Sequence, residues 1–132
     1  MDIFASFATD EKLEVEGTWV PLGGTAKILV ARAGNKKYGR LLSAAVDKNK
    51  LALDAKTDEA DALSDSIMVD VLANSVLLGW EGLSFKGTEA LPYNLENAKT
   101  LLAVKDFRAL VSEKARNIDN FRATAEEATA KK

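Results

Sequence analysis

The chain has 132 residues, enough for one domain that buries roughly two-thirds of its unfolded surface without covalent staples. It contains no cysteine and no histidine, which excludes disulfides, thiolate chemistry, the usual zinc ligands and the one side chain that titrates near neutrality. Eighteen basic residues against twenty acidic ones leave a net charge of −2 with the cations scattered, which argues against nucleic acid as a partner.

The opening MDIFASFATDEKL carries an acid at position 2 and returns to charge too soon for a signal peptide or a membrane span, so a soluble cytoplasmic protein is expected, with no membrane partner. Residues 1–11 are expected to fray. In EKLEVEGTWVPLGGTAKILVARAGN, Leu13, Val15 and Trp19 fall on one face and Glu14, Glu16 and Thr18 on the other, the period of a half-buried strand. Gly23 and Gly24 supply a tight reversal after Pro21, and AKILVAR reads as the returning strand of a β-hairpin.

The period then changes. Asn35 is placed to cap a helix whose face carries Tyr38, Leu41, Leu42, Ala45 and Val46. A longer helix starts at Thr57 or Asp58, with acids at its positive end and an apolar stripe running from Ala60 through Leu63, Ile67, Met68, Val71, Leu72 and Val76 to Leu78. Asp61, Asp65 and Asp70 form its solvated face; no calcium-loop spacing is present. Gly82 sits where a left-handed residue would close that helix, with Leu83 touching Leu78.

Residues 79–98, GWEGLSFKGTEALPYNLENA, form a connector that carries Trp80, Phe85, Leu91 and Tyr93, bulky residues for a loop. The economical reading is a corner filled by its own side chains beneath the helices it joins. Pro92 biases Leu91 toward extended backbone, and Asn94 caps a helix over LENAKTLLAVKDF with Glu96 in its first turn. A break is predicted around Val104 to Asp106. Beyond it, Phe107, Val111, Ile118, Phe121, Ala125 and Ala128 recur as a narrow seam interrupted by Lys114. The alanine-rich tail, residues 123–132, is expected to fray. The fold class is thus mainly α (α+β by strict count), a single domain with an N-terminal β-hairpin followed by four or so α-helices.

Little in the sequence carries chemistry. Glu81, beside Trp80 and between glycines, is the one carboxylate whose surroundings suggest desolvation, and a lone carboxylate is not a mechanism. Gly23 and Gly24 lack the further glycines, lysine and helix start of a phosphate-binding loop. Lys36, Lys37 and Arg40 share a helical turn without aromatic interleaving and fall short of a nucleic-acid platform. Residue types therefore point to a non-enzymatic binding or assembly module with no cofactor and no metal.

The order of the pieces adds to this: ARAGN (Ala31 to Asn35), WEG (Trp80, Glu81, Gly82), PYN (Pro92, Tyr93, Asn94) and the phenylalanine near the end, Phe121. This arrangement, from about Gly17 to Phe121, strongly resembles the tail assembly chaperones of long-tailed bacteriophages, most closely the lambda-like and Hong Kong 97-like lineages. The resemblance implies a protein of the host cytoplasm, absent from the mature virion, that coats the tape measure protein and helps recruit tail tube subunits. It also implies a minority longer product made by ribosomal frameshifting, which engages tube protein; Lys131 and Lys132 are compatible with a slippery run of adenines. Self-association into a spiral or other open oligomer suits such a filamentous client. The family supplies no catalytic residue. Candidate contact residues are Phe85, Tyr93, Phe107, Val111, Ile118 and Phe121, with core packing the competing role for each. The alternative function is a structural virion component, such as a small tail-tube or head-tail connector subunit.

Overall fold

The computed structural model describes residues 1–87 and 89–122. Two short helices, α1 (Ile3–Phe7) and α2 (Glu11–Glu16), precede a hairpin of β1 (Thr18–Gly23) and β2 (Ala26–Val30). Helices α3 (Lys36–Lys48), α4 (Lys50–Asp54) and α5 (Asp58–Ser75) follow, then β3 (Leu77–Glu81), α6 (Leu95–Leu102), α7 (Lys105–Arg116) and a 3₁₀ turn (Ile118–Phe121). The described residues are mainly helical with one antiparallel sheet in the order β1-β2-β3.

Local chemistry explains most boundaries. Asn35 accepts from the Tyr38 N–H at 2.9 Å to start α3, Thr57 accepts from Ala60 at 3.1 Å to start α5, and Asn94 accepts from Asn97 at 2.7 Å to start α6. Each cap falls where the sequence predicts it. The Asn35 amide also donates to the carbonyls of Arg32 and Ser75, at 2.8 and 3.0 Å, so one side chain begins α3 and satisfies the last turn of α5. Asp61, Asp65 and Asp70 are exposed as expected, the latter two paired with Arg108 and Lys99.

Three expectations are corrected. Glu11–Glu16 is a helix, not the start of β1: Asp10 caps it by accepting from Lys12, and Gly17 ends it at φ 93°. Six residues of alternation also satisfy a single amphipathic turn, and the cap decides. Two hydrogen bonds tie the N-terminal segment to the C-terminal turn. The Asp10 N–H donates to the Phe121 carbonyl at 2.7 Å, and Arg122 donates to the Ser6 carbonyl at 2.7 Å.

The second correction concerns the long helix, which stops at Ser75 and does not reach Leu78. Val76 leaves helical geometry at φ −125°, and Leu77–Glu81 joins β2 as a third strand, pairing Ile28 with Trp80 and Leu29 with Gly79. The run from Val76 to Leu78 is apolar enough to serve either period, and pairing with β2 wins because it places Leu77 and Trp80 in the core. Gly82 does adopt positive φ, at 74°, but at the end of a strand. Finally, the C-terminal seam is broken: α7 ends at Arg116, and Asn117 caps the 3₁₀ turn by accepting from Asp119 at 3.0 Å. Ala125, Ala128 and the predicted fraying of 123–132 lie outside the described residues.

The core forms between the sheet and three helices. Ile28 and Val30 from β2, Leu72 and Val76 from α5 and its end, Leu102 from α6, Val111 from α7 and Phe121 are all fully buried. Two backbone bonds lock the layers: Ala31 donates to Val76 and Ala33 to Ala115, each at 2.9 Å. Helix α3 contributes no fully buried residue and lies across α5 at the periphery.

Candidate functional site

The connector is a packed corner. Trp80, 6% exposed, points into the core from β3, and its indole N–H donates to the Leu91 carbonyl at 2.7 Å. Tyr93 meets the Trp80 ring edge-on at 5.0 Å, and its hydroxyl donates to the Leu77 carbonyl at 2.9 Å. Burial pushes the Tyr93 phenol above its ordinary value. The Leu91 N–H donates back to Leu83 at 2.8 Å, closing the loop on itself. The corner is filled by its own side chains, as the sequence suggests, and Trp80 and Tyr93 also satisfy the carbonyls of Leu91 and Leu77.

The other motif residues have structural work of the same kind. Asn94 caps α6, while the Asn97 amide ties back to Pro92 at 2.9 Å. A Cβ on Gly82 would lie 2.8 Å from the Thr25 carbonyl oxygen, so the residue lets β3 pass against the hairpin turn. Glu81 is not desolvated. Its carboxylate is exposed and pairs with Lys27 at 3.2 Å, and the Lys27 ammonium in turn sits 4.6 Å from the Trp19 ring centre.

The candidate contact residues do not form one surface. Val111 and Phe121 are completely buried and belong to the core, so in this fold neither is available to a partner. Phe85 and Phe107 are half-buried and pack against the core from outside; Ile118 is half-buried, and Tyr93 is 40% exposed. Of the six, only Tyr93 and the outer edges of Phe85, Phe107 and Ile118 reach the surface.

Larger apolar exposure lies where sequence reading did not look. In α1, Phe4 is 81% exposed, with Ile3 and Phe7 also largely open; Val15 on α2 and Leu51 on α4 are 69% and 90% exposed. The signal was present in IFASF, a five-residue helix capped by Asp2 that has two phenylalanines and too little length to bury either. Lys36, Lys37 and Arg40 line a cleft of about 680 Å³ opposite Glu11, Glu14 and Val15. Its walls carry both signs of charge, and Glu14 is already held by Arg32 at 3.0 Å and by the Thr9 hydroxyl. Among the described residues, no three His, Cys, Asp or Glu side chains gather as a metal site, and no helix is long and apolar enough to cross a membrane.

Residues 33–132 match the model of a family described as YdaY prophage protein. The chain belongs to this prophage family. The match begins just after β2 and takes in α3 to α7 with β3, including the whole connector corner. No curated protein and no solved structure matches the chain. Family membership makes this a phage-derived protein, which is the coarser part of what the resemblance implied.

Proposed function

We propose that this prophage protein is a non-catalytic tail assembly chaperone. It coats the tape measure protein in the host cytoplasm, helps recruit tail tube subunits and is left out of the finished virion. What carries the reading beyond a phage origin is the apolar surface of the N-terminal end: Ile3, Phe4, Phe7 and Val15 stand open on a protein whose core is otherwise closed. Exposed apolar side chains of this size are what a chain acting by contact presents. A tape measure protein is long and helical, and its apolar faces need cover before a tube surrounds them. Many copies, associating with one another along the client, multiply weak contacts. A frameshifted longer product would bring tube protein to the same assembly.

Co-expression with the tape measure protein encoded beside it tests the reading. Client that is soluble only in the presence of this chain, together with particles that lack the chain by mass spectrometry, is the expected outcome. Client solubility independent of the chain, or stoichiometric recovery of the chain from purified particles, would overturn it, the second result favouring a virion component.

A further inference from the structure

Helix α7 carries Lys105, Arg108, Ser112 and Arg116 at steps of three and four, and therefore along one face about 16 Å long. That face looks across at Met68 of α5, with the buried Leu72 behind it, and the gap between the helices is a groove of about 310 Å³ that Ala109 also lines. A second cavity of about 310 Å³, lined by Asp65, Val69 and Ala103, continues past Lys105 and Arg108. The groove thus has an apolar floor and a cationic wall. Arg108, only 14% exposed, is fixed by donating to the Leu102 carbonyl at 3.2 Å and to Asp65 at 3.3 Å, so a carboxylate already occupies one edge. Lys105 and Arg116 are exposed, and among the described residues neither has an ion pair.

We infer that the α5–α7 groove seats an acidic amphipathic segment of a partner protein, its carboxylates meeting Lys105 and Arg116 while its apolar side chains rest on Met68, Val69 and Ala109. Charge complementarity selects the occupant, because an apolar floor alone would accept any hydrophobic segment and a cationic wall alone any polyanion. The groove is open along its length and about as long as a three-turn helix, which suits a helical segment with acids on one face. This assignment stands independently of the tail-chaperone reading.

The test uses the purified full chain and a fluorescein-labelled peptide about twelve residues long with glutamates on one helical face and leucines on the other, read by fluorescence anisotropy. A matched peptide carries glutamine for glutamate. The glutamate peptide should bind about fivefold tighter than the glutamine peptide, the sum expected of two rim ion pairs. Lys105→Glu combined with Arg116→Glu should remove that advantage, and Ala109→Trp should block both peptides by filling the floor. Equal binding of the two peptides would overturn the assignment, as would unchanged binding to either variant while its thermal unfolding matches the parent. Displacement of the peptide by short single-stranded DNA from the parent chain would overturn it in favour of a polyanion site.

Discussion

Replacing Gly82 with alanine tests whether this residue ends a strand against the hairpin turn or merely ends a helix. At φ 74° any alanine pays the left-handed penalty of about 1 kcal/mol. The added Cβ would also fall 2.8 Å from the Thr25 carbonyl oxygen and 3.0 Å from the Ala26 Cα. Both are backbone atoms of the β1–β2 reversal, so relief requires moving the turn or β3, at an overpacking cost of about 1–3 kcal/mol. The sum, about 2–4 kcal/mol, is a large part of the 5–15 kcal/mol typical of a whole domain. Gly24→Ala is the control: its φ is 57°, but a Cβ there meets nothing within 4 Å, so only the first term of about 1 kcal/mol applies. Urea unfolding followed by tryptophan fluorescence measures both, with Trp80 reporting from the adjacent strand. Equal losses in the two variants would refute the close approach of Gly82 to the turn and, with it, the pairing of β3 that brings it there.

Asn35→Ala removes the α3 cap and two donated bonds together, and thermal denaturation should show a loss of about 1–3 kcal/mol. Tyr93 gives a pH signature. Its folded pKa is raised, so its contribution is fully present below the unfolded value near 10 and is lost as pH rises through the folded value. The parent should therefore lose more stability than Tyr93→Phe as the pH is raised above about 10 in matched urea titrations. Phe121→Ala should cost about 3–5 kcal/mol because the side chain is wholly buried, whereas Phe4→Asp, at an 81% exposed site, should leave stability within about 0.5 kcal/mol while impairing client solubilisation in co-expression.

Caps were the most readable part of the sequence. Asn35, Thr57 and Asn94 each declare a helix start through a short-range side-chain bond that needs no distant partner. The hairpin was readable for a similar reason, since Gly23 and Gly24 adopt the positive φ the reversal needs. Strand β3 was not. Leu77 and Trp80 become strand residues because Val30 and Ile28, nearly fifty residues earlier in the chain, offer a free edge. Helix α2 is obscured for the opposite reason: its signal, the Asp10 cap, is local, but the helix runs for fewer than two turns and its alternation also fits a strand. The seam from Phe107 to Phe121 failed at Asn117, whose side chain starts a 3₁₀ turn and redirects Phe121 into the core beside the Asp10 amide.

That pattern bears on where function is written. The residues that carry the sequence resemblance, Trp80 to Gly82 and Pro92 to Asn94, build the corner that joins β3 to α6: an indole bond, a phenol bond, a cap and a close backbone approach. Each is demanding in geometry, so each restricts the residue type, and the motif reports on packing. Contact with another chain imposes looser local demands; in the contacts proposed above it would rest on exposed residues such as Phe4 on a one-turn helix, or Lys105 and Arg116 beside Met68. Such residues leave no fixed spacing to recognise. They become visible only when the fold shows which apolar and charged side chains remain open after the core is filled.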